Sequence, residues 1–258
     1  MVQMIADLVR AAGRIILEAD ADKAVFRKSS KHDLVTRYDM QVQEFLRCAL
    51  LDILPGAGFY GEEDGGAGTN LQGLHFIVDP IDGTTNFVKG LRRSCVSVAL
   101  ADGARVVSGV IYNPYTDEMF TAEAGKGACL NGEAIHVSRC CMDEAVVYTG
   151  ASPYYPACYD ATFRLARSLM GRCVDIRRSG SAALELCDVA CGRAEAYFEA
   201  LLSPWDYAAG SLIVLEAGGS VTDMAGTPLQ FAEKSSLAAA NPACFDELLR
   251  LAREAETC

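Results

Sequence analysis

Apolar residues at Ile5, Leu8, Val9, Ala12, Ile15 and Ile16 recur every three or four positions, which predicts an amphipathic helix over residues 4–17. The same spacing at Val42, Phe45, Leu46, Ala49 and Leu50 predicts a second helix over 39–51, ended by Pro55-Gly56. The period then changes. Leu74, His75, Phe76, Ile77 and Val78 form a short, almost wholly apolar run, the pattern of a buried strand. Two further apolar runs, 96–100 and 106–112, flank Asp102-Gly103, a hairpin signal. With 119–122 and 128–137, the latter bent at Asn131-Gly132, they predict an antiparallel sheet. Beyond about residue 143, short strands (146–148, 174–176, 195–198, 220–222, 237–240) alternate with helices (156–170, 181–191, 205–217, 242–254). That alternation predicts a layered α/β unit. The change of character near residues 140–146 divides the chain into an N-terminal α+β domain, 1–143, and a C-terminal α/β domain, 144–258. Residues 65–70, rich in glycine, read as an exposed loop.

Composition narrows the classes. The chain has 258 residues, 51% of them hydrophobic, enough for a substantial core. No apolar stretch approaches the ~20 residues of a membrane helix, and Asp7, Arg10 and Arg14 break the N-terminal segment that a signal peptide would need. A soluble, cytoplasmic protein is expected, with no membrane partner. The formal net charge is -11 and no basic cluster is longer than a pair, as in Arg92-Arg93 and Arg177-Arg178, which argues against a nucleic-acid partner. An acidic protein that acts on a phosphate ester needs metal cations to mask the repulsion. The eleven cysteines contain no Cys-x-x-Cys pair, so they read as reduced core thiols rather than a zinc site. The three histidines, His32, His75 and His136, supply no motif that would activate a cysteine nucleophile.

Three acidic clusters carry the chemistry: Gly61-Glu62-Glu63-Asp64, Asp79-Pro80-Ile81-Asp82-Gly83-Thr84-Thr85-Asn86, and Ser203-Pro204-Trp205-Asp206. Each has an ordinary explanation alone. The first fits a solvated turn, Asp79 a turn residue before proline, and Asp206 a helix N-cap. Two carboxylates at the end of a buried strand nevertheless favour a cation, because carboxylates are costly to remove from water. Hard oxygen ligands on a rigid turn suit magnesium.

Taken together, Gly-Glu-Glu, Asp-Pro-Ile-Asp-Gly-Thr-Thr and Trp-Asp-Tyr-Ala-Ala-Gly resemble the inositol monophosphatase family of magnesium-dependent phosphatases. Lys28-Ser29-Ser30 with Asp33-Leu34-Val35-Thr36 and Asp39 is similar to the family's mobile N-terminal segment. Residues 178–183 resemble its substrate loop, and Glu216-Ala217-Gly218-Gly219 the turn after its last catalytic helix. The blocks occur in the family's order from about residue 5 to 250.

The resemblance implies a five-layer αβαβα sandwich of the inositol monophosphatase/fructose-1,6-bisphosphatase type, with the site between its two halves. Two to three Mg2+ ions are implied. Glu62, Asp79 and the Ile81 carbonyl would hold the first and Asp79, Asp82 and Asp206 the second, Asp79 bridging. A weaker third would sit near Glu62, with Glu63 in support. Thr84 and Asp39 would deliver a water that attacks phosphorus directly, with no phosphoenzyme and with Glu62 in the catalytic set. Asp82, Gly83, Thr84, Gly180, Ser181, Ala182, Glu199 and Asp206 would face the substrate; Ser152 and Lys28 are lesser candidates. Glu199, at the end of a predicted strand, would accept hydrogen bonds from a polyol. Thr85-Asn86 points to the inositol branch, whereas Arg92-Arg93 keeps a bisphosphate open if it reaches the site. A homodimer and lithium sensitivity are implied likewise. Two other readings stay open: a fructose-1,6-bisphosphatase or other small phosphate-ester phosphatase of the superfamily, and a regulatory binding protein that has kept the fold.

Overall fold

The apolar stripe of the first segment becomes helix α1 (Val2–Glu18), which buries Ile5, Val9, Ala12 and Ile16. Helix α2 (Arg37–Ile53) buries Val42, Leu46 and Leu50 beside it. In the computed structural model, which describes residues 1–19, 25–27, 34–65 and 71–257, both helices cover one face of a seven-stranded sheet. A two-stranded antiparallel ribbon of β1 (Val25–Arg27) and β2 (Leu34–Thr36) stands apart from it. The large sheet runs in chain order through β3 (Gly58–Gly61), β4 (Leu74–Asp82), β5 (Cys95–Asp102), β6 (Arg105–Asn113), β7 (Glu118–Glu123), β8 (Ala128–Leu130) and β9 (Glu133–Ile135). Only the β3–β4 pair is parallel. A short helix, α3 (Thr84–Lys89), leaves the end of β4.

The second half adds β10 (Val146–Thr149), α4 (Tyr159–Leu169), β11 (Asp175–Arg177), α5 (Ala182–Ala190), β12 (Ala196–Leu202), α6 (Pro204–Glu216), β13 (Ser220–Thr222), β14 (Ser235–Ala240) and α7 (Phe245–Thr257). Its sheet has the order β11-β10-β12-β14-β13, with β10 parallel to both neighbours and β14 antiparallel to both of its own. Helices α4 and α7 cover its outer face, and α5 and α6 lie between the two sheets. The layers are therefore α1α2, sheet, α5α6, sheet, α4α7, the expected αβαβα sandwich. Every residue of α5 is buried, because a helix enclosed by sheets on two sides has no solvent face. Ile77, Ile111 and Phe120 of the first sheet, Leu186 and Ile213 of the helices, and Tyr197 and Leu237 of the second sheet form one continuous core.

Three elements differ from the pattern-based reading. Residues 128–137 form two strands rather than one bent strand, since Asn131 and Gly132 both take positive φ (50° and 86°) and close a tight hairpin. Residues 156–158 make a 3-10 turn before α4 begins. The strand expected to stop at Phe198 continues to Leu202 through an irregular register after Glu199. Of the glycine-rich loop, residues 66–70 lie outside the described residues. No helix among the described residues is long and apolar enough to cross a membrane.

Candidate active site

Strand β4 carries Asp79 and Asp82 across a bulge in its pairing with β5, which accommodates Pro80 between them. Asp79 Oδ1 accepts the Ile81 N–H at 3.0 Å. Asp82 Oδ2 accepts the Ser181 hydroxyl and, at 2.8 Å, the Ala183 N–H at the start of α5. Asp206 is the third residue of α6 rather than its N-cap; Ser203 holds the cap, and its N–H donates to Asp206 Oδ2 at 2.7 Å. One carboxyl oxygen each of Asp79, Asp82 and Asp206 lie within 4.8 Å of one another. Glu62 enters the same cleft from the 3-10 turn Glu62–Asp64 after β3, and its carboxyl group shares a hydrogen bond with that of Asp79.

The electrostatics follow from this crowding. Burial first, then the charges of Glu62, Asp82 and Asp206, push Asp79 well above the ordinary carboxylate range. Burial, then Asp82 and Glu62, do the same to Asp206. Asp82 is pushed up to about 6 by burial, against the lowering effect of the Ser181 and Ala183 donors. Among the described residues, no Lys or Arg forms an ion pair with these three aspartates. A cluster of oxygen donors that resists ionisation for want of a positive charge fits a hard divalent cation of the magnesium type.

Beside the aspartates, Gly83 takes φ 87° and caps α3. A Cβ there would meet Arg93 O at 3.0 Å and Gly180 O at 3.1 Å, so glycine is needed for both conformation and space. The next residue, Thr84, places Oγ1 at 3.3 Å from Asp39 Oδ1 and 3.2 Å from the Ile81 carbonyl oxygen. Asp39 Oδ2 meanwhile accepts the Thr36 N–H at 2.7 Å and the Thr36 hydroxyl at 2.5 Å. Burial lifts Asp39 to about 6 despite those donors.

Across a cleft of about 500 Å3, Gly180, Ser181, Ala182 and Glu199 form the opposite wall. Glu199 is no exposed strand-end charge: it is 8% exposed. It accepts the Tyr197 hydroxyl at 2.7 Å and the Ser152 N–H at 2.9 Å. The Ser152 hydroxyl lies 3.2 Å from Glu199 and accepts the Leu201 N–H, so its polar atoms serve the wall itself. Gly150 makes this possible, since a Cβ there would overlap the Glu199 carboxylate. Arg93 turns away to pair with Asp188, and neither Arg92 nor Arg93 lines the cleft. Residues 28–33, including Lys28, lie outside the described residues.

A model of the inositol monophosphatase family matches residues 1–257. The chain belongs to that family. It is 38% identical over 231 residues to a protein of Xylella fastidiosa named Nus factor SuhB, covering 87% of this chain and 82% of the relative. It is 37% identical over 257 residues to inositol monophosphatase 2 of Solanum lycopersicum, covering 97% of each. Among solved structures, the extragenic suppressor protein suhB of Bartonella henselae superposes with a TM-score of 0.90 at 35% identity, covering 98% of each chain. Inositol monophosphatases are metal-dependent phosphatases, in keeping with the acidic cluster.

The contacts that tie the cleft walls together were not legible from sequence. Asn86 donates both amide hydrogens, to Arg93 O at 2.7 Å and Ser179 O at 2.8 Å, and so ties the loop before α5 to α3. Glu185 holds the same loop from α5. Arg178, Leu91 and Tyr154 lie on the cleft wall. The one sequence signal for Glu185 was an acidic residue, with Asp188, inside a mostly apolar helix.

Proposed function

We propose that this protein is a Mg2+-dependent phosphomonoesterase that hydrolyses inositol 1-phosphate, and related polyol and sugar monophosphates, to the free alcohol and phosphate. The observation that carries this reading is the gathering of Asp79, Asp82 and Asp206 in one cleft with Glu62 and Thr84. Two to three Mg2+ ions held by Glu62, Asp79, the Ile81 carbonyl, Asp82 and Asp206 would neutralise the phosphate and lower the pKa of a water nucleophile.

The chain's own part is positional. The Thr84 hydroxyl has one proton and two acceptors in reach. Donation to Asp39 leaves its lone pairs to accept a hydrogen bond from the attacking water and aim it at phosphorus. An Asp39 pKa of about 6 suits a group that takes up a proton near neutrality. The Gly83 and Thr84 N–H groups, at the start of α3, face the phosphate oxygens. Water adds to phosphorus as the ester P–O bond breaks, and the leaving oxygen takes a proton to become the alcohol. Gly180, Ser181 and Ala182 line the leaving-group side, where Glu199 accepts a substrate hydroxyl. The enzyme acts as a cytoplasmic, lithium-sensitive homodimer, its site lying between halves 1–143 and 144–258. Phosphate release from a panel of esters, with and without Mg2+ and with Asp82→Asn, tests the proposal; activity that survives the substitution or needs no metal defeats it.

A second reading, a regulatory binding protein on the same fold, draws on the name of the Xylella relative. The full acidic set in the cleft favours catalysis. A pull-down from the protein's own cells tests the alternative.

A further inference from the structure

Gly83 and Thr84 are wedged between two loops. A Cβ at Gly83 would lie 3.0 Å from Arg93 O on one loop and 3.1 Å from Gly180 O on the other. Asn86 bridges the same two loops through Arg93 O and Ser179 O, and its own carbonyl accepts the Leu91 N–H at 2.9 Å. Helix α5 holds the Gly180 side directly, because Ser181 and the Ala183 N–H bind Asp82 and Glu185 accepts the Ser179 and Gly180 N–H groups. The Arg93 side is a short link between α3 and β5, and it is strained. Arg92 takes φ 57°, a left-handed conformation that costs a residue with a side chain about 1–2 kcal/mol. Such a conformation persists only where its surroundings enforce it. Arg93 supplies a restraint: its guanidinium donates to Asp188 Oδ2 near the end of α5 and lies 5.8 Å from the centre of the Tyr148 ring. Asp188 is buried and is the only ion-pair partner of Arg93 among the described residues. Breaking such a pair leaves a desolvated charge without compensation, so the contact is firm.

We propose that Asp188 is a positioning residue: through Arg93 it fixes the carbonyl against which Gly83 packs and to which Asn86 is tied, and so keeps the Thr84 hydroxyl beside Asp39 and the Ile81 carbonyl. Asp188 does not line the cleft, and its effect passes through contacts too close to leave slack. Helix α5 thereby grips the site turn twice, near its start through Asp82 and near its end through Asp188 and Arg93. Arg193 provides an internal control. It meets Asp188 Oδ1 at 3.5 Å and also pairs with Glu118, but it has no hydrogen bond to the link before β5.

The inference rests on the phosphatase reading for its kinetic arm, and a second arm is independent of turnover. kcat and KM on inositol 1-phosphate at saturating Mg2+ are measured for the full chain as wild type, Asp188→Asn, Arg93→Met, the double variant and Arg193→Gln. Hydrogen exchange of the Phe87 and Leu91 amides, which bond to Gly83 O and Asn86 O, is followed in each. Asp188→Asn keeps the size of the side chain, and Arg93→Met keeps an unbranched stem. Each is expected to lower kcat roughly tenfold, the scale of a small misplacement of a reacting group, with KM nearly unchanged and both amides exchanging faster. The double variant should fall no further than the worse single, since both changes remove one contact. Arg193→Gln should leave kcat and both amides unchanged even where it lowers the melting temperature. Unchanged kcat and exchange in Asp188→Asn, multiplicative losses in the double variant, or an equal loss in Arg193→Gln overturns the inference and leaves the ion pair a support of the fold alone. A wild type that releases no phosphate overturns the phosphatase reading instead, and the exchange arm then still decides whether Asp188 holds the turn.

Discussion

At the scale of single residues, each site aspartate has two jobs divided between its oxygens. Asp79 Oδ1, Asp82 Oδ2, Asp206 Oδ2 and Asp39 Oδ2 all accept backbone N–H groups that belong to a turn or a helix start. The ordinary explanations of these residues therefore hold alongside the functional one, because the second oxygen of each stays available. Such anchoring makes the carboxylates rigid, and rigidity suits Mg2+, which demands near-ideal octahedral geometry. Asp79→Asn keeps the size and the turn but removes the charge central to the cluster. It is expected to abolish Mg2+-dependent phosphate release, by at least ~100-fold, while raising the melting temperature measured without metal. The pH dependence has a definite sign. A carboxyl whose folded pKa is raised stabilises the fold below its unfolded value, and that contribution is lost as pH rises through the folded value. For Asp82 the window runs from 3.8 to about 6, and Asp79 and Asp206 extend it upward. The chelated protein should thus melt at progressively lower temperature from about pH 4 to pH 8. Added Mg2+ should raise the melting temperature strongly at pH 8 and little at pH 4.5; a metal effect independent of pH would contradict the cluster's electrostatics.

At the scale of elements, two helices aim the chemistry by the same device. Thr36 with Asp39 starts α2, and Ser203 with Asp206 starts α6, each as a capping box; Asp206 lines the cleft and Asp39 meets Thr84 of its wall. Thr36→Ala is expected to cost about 1 kcal/mol in denaturant unfolding. It should also lower kcat with KM nearly unchanged, because Asp39 loses the Thr36 hydroxyl donor and its hold on Thr84 loosens. A loss of stability with normal kcat would show the cap to be structural only. Helices α1 and α2 were legible because one face of each is buried and the period of the apolar positions reveals it, and strands β4 to β6 because burial on both faces makes them continuous apolar runs. The acidic blocks were legible because their residue types and order are distinctive. What stayed hidden depends on contacts between distant segments. Glu199 read as the end of a short strand, whereas the strand continues beyond an irregularity, and its burial comes from Ser152, Tyr197 and the space left by Gly150. The role of Asn86 lies in two carbonyls, one of them 93 residues away, and no local pattern encodes that. Arg92-Arg93 kept a bisphosphate open only if it reached the site, and Arg93 meets Asp188 of α5 instead.

At the scale of the whole molecule, the central α5α6 layer decides how the halves behave. It belongs in sequence to the second half, yet α6 packs on β4, β5, β6 and β7 of the first sheet as well as on β13 and β14 of the second. Its residues share a single apolar core with both sheets. Asp206, carried on α6, therefore reaches Asp79 and Asp82 only if that core is formed. Separate unfolding of one half would expose the shared face of the other and forfeit burial on both sides, at about 25 cal/mol per Å2. Trp205, the single tryptophan, sits at this junction: it belongs to α6 and meets Tyr60 of β3 edge-on at 5.5 Å. Its fluorescence reports contact between the halves, whereas far-UV circular dichroism reports helices in all three helical layers. In urea the two signals are expected to change in one superimposable transition. Leu186→Ala, which opens a cavity at a fully buried position of α5, should shift both together by about 2–5 kcal/mol. Were the Trp205 signal to change first, with most of the helical signal surviving, the halves would be separable units and the site would be lost by their parting rather than by global unfolding.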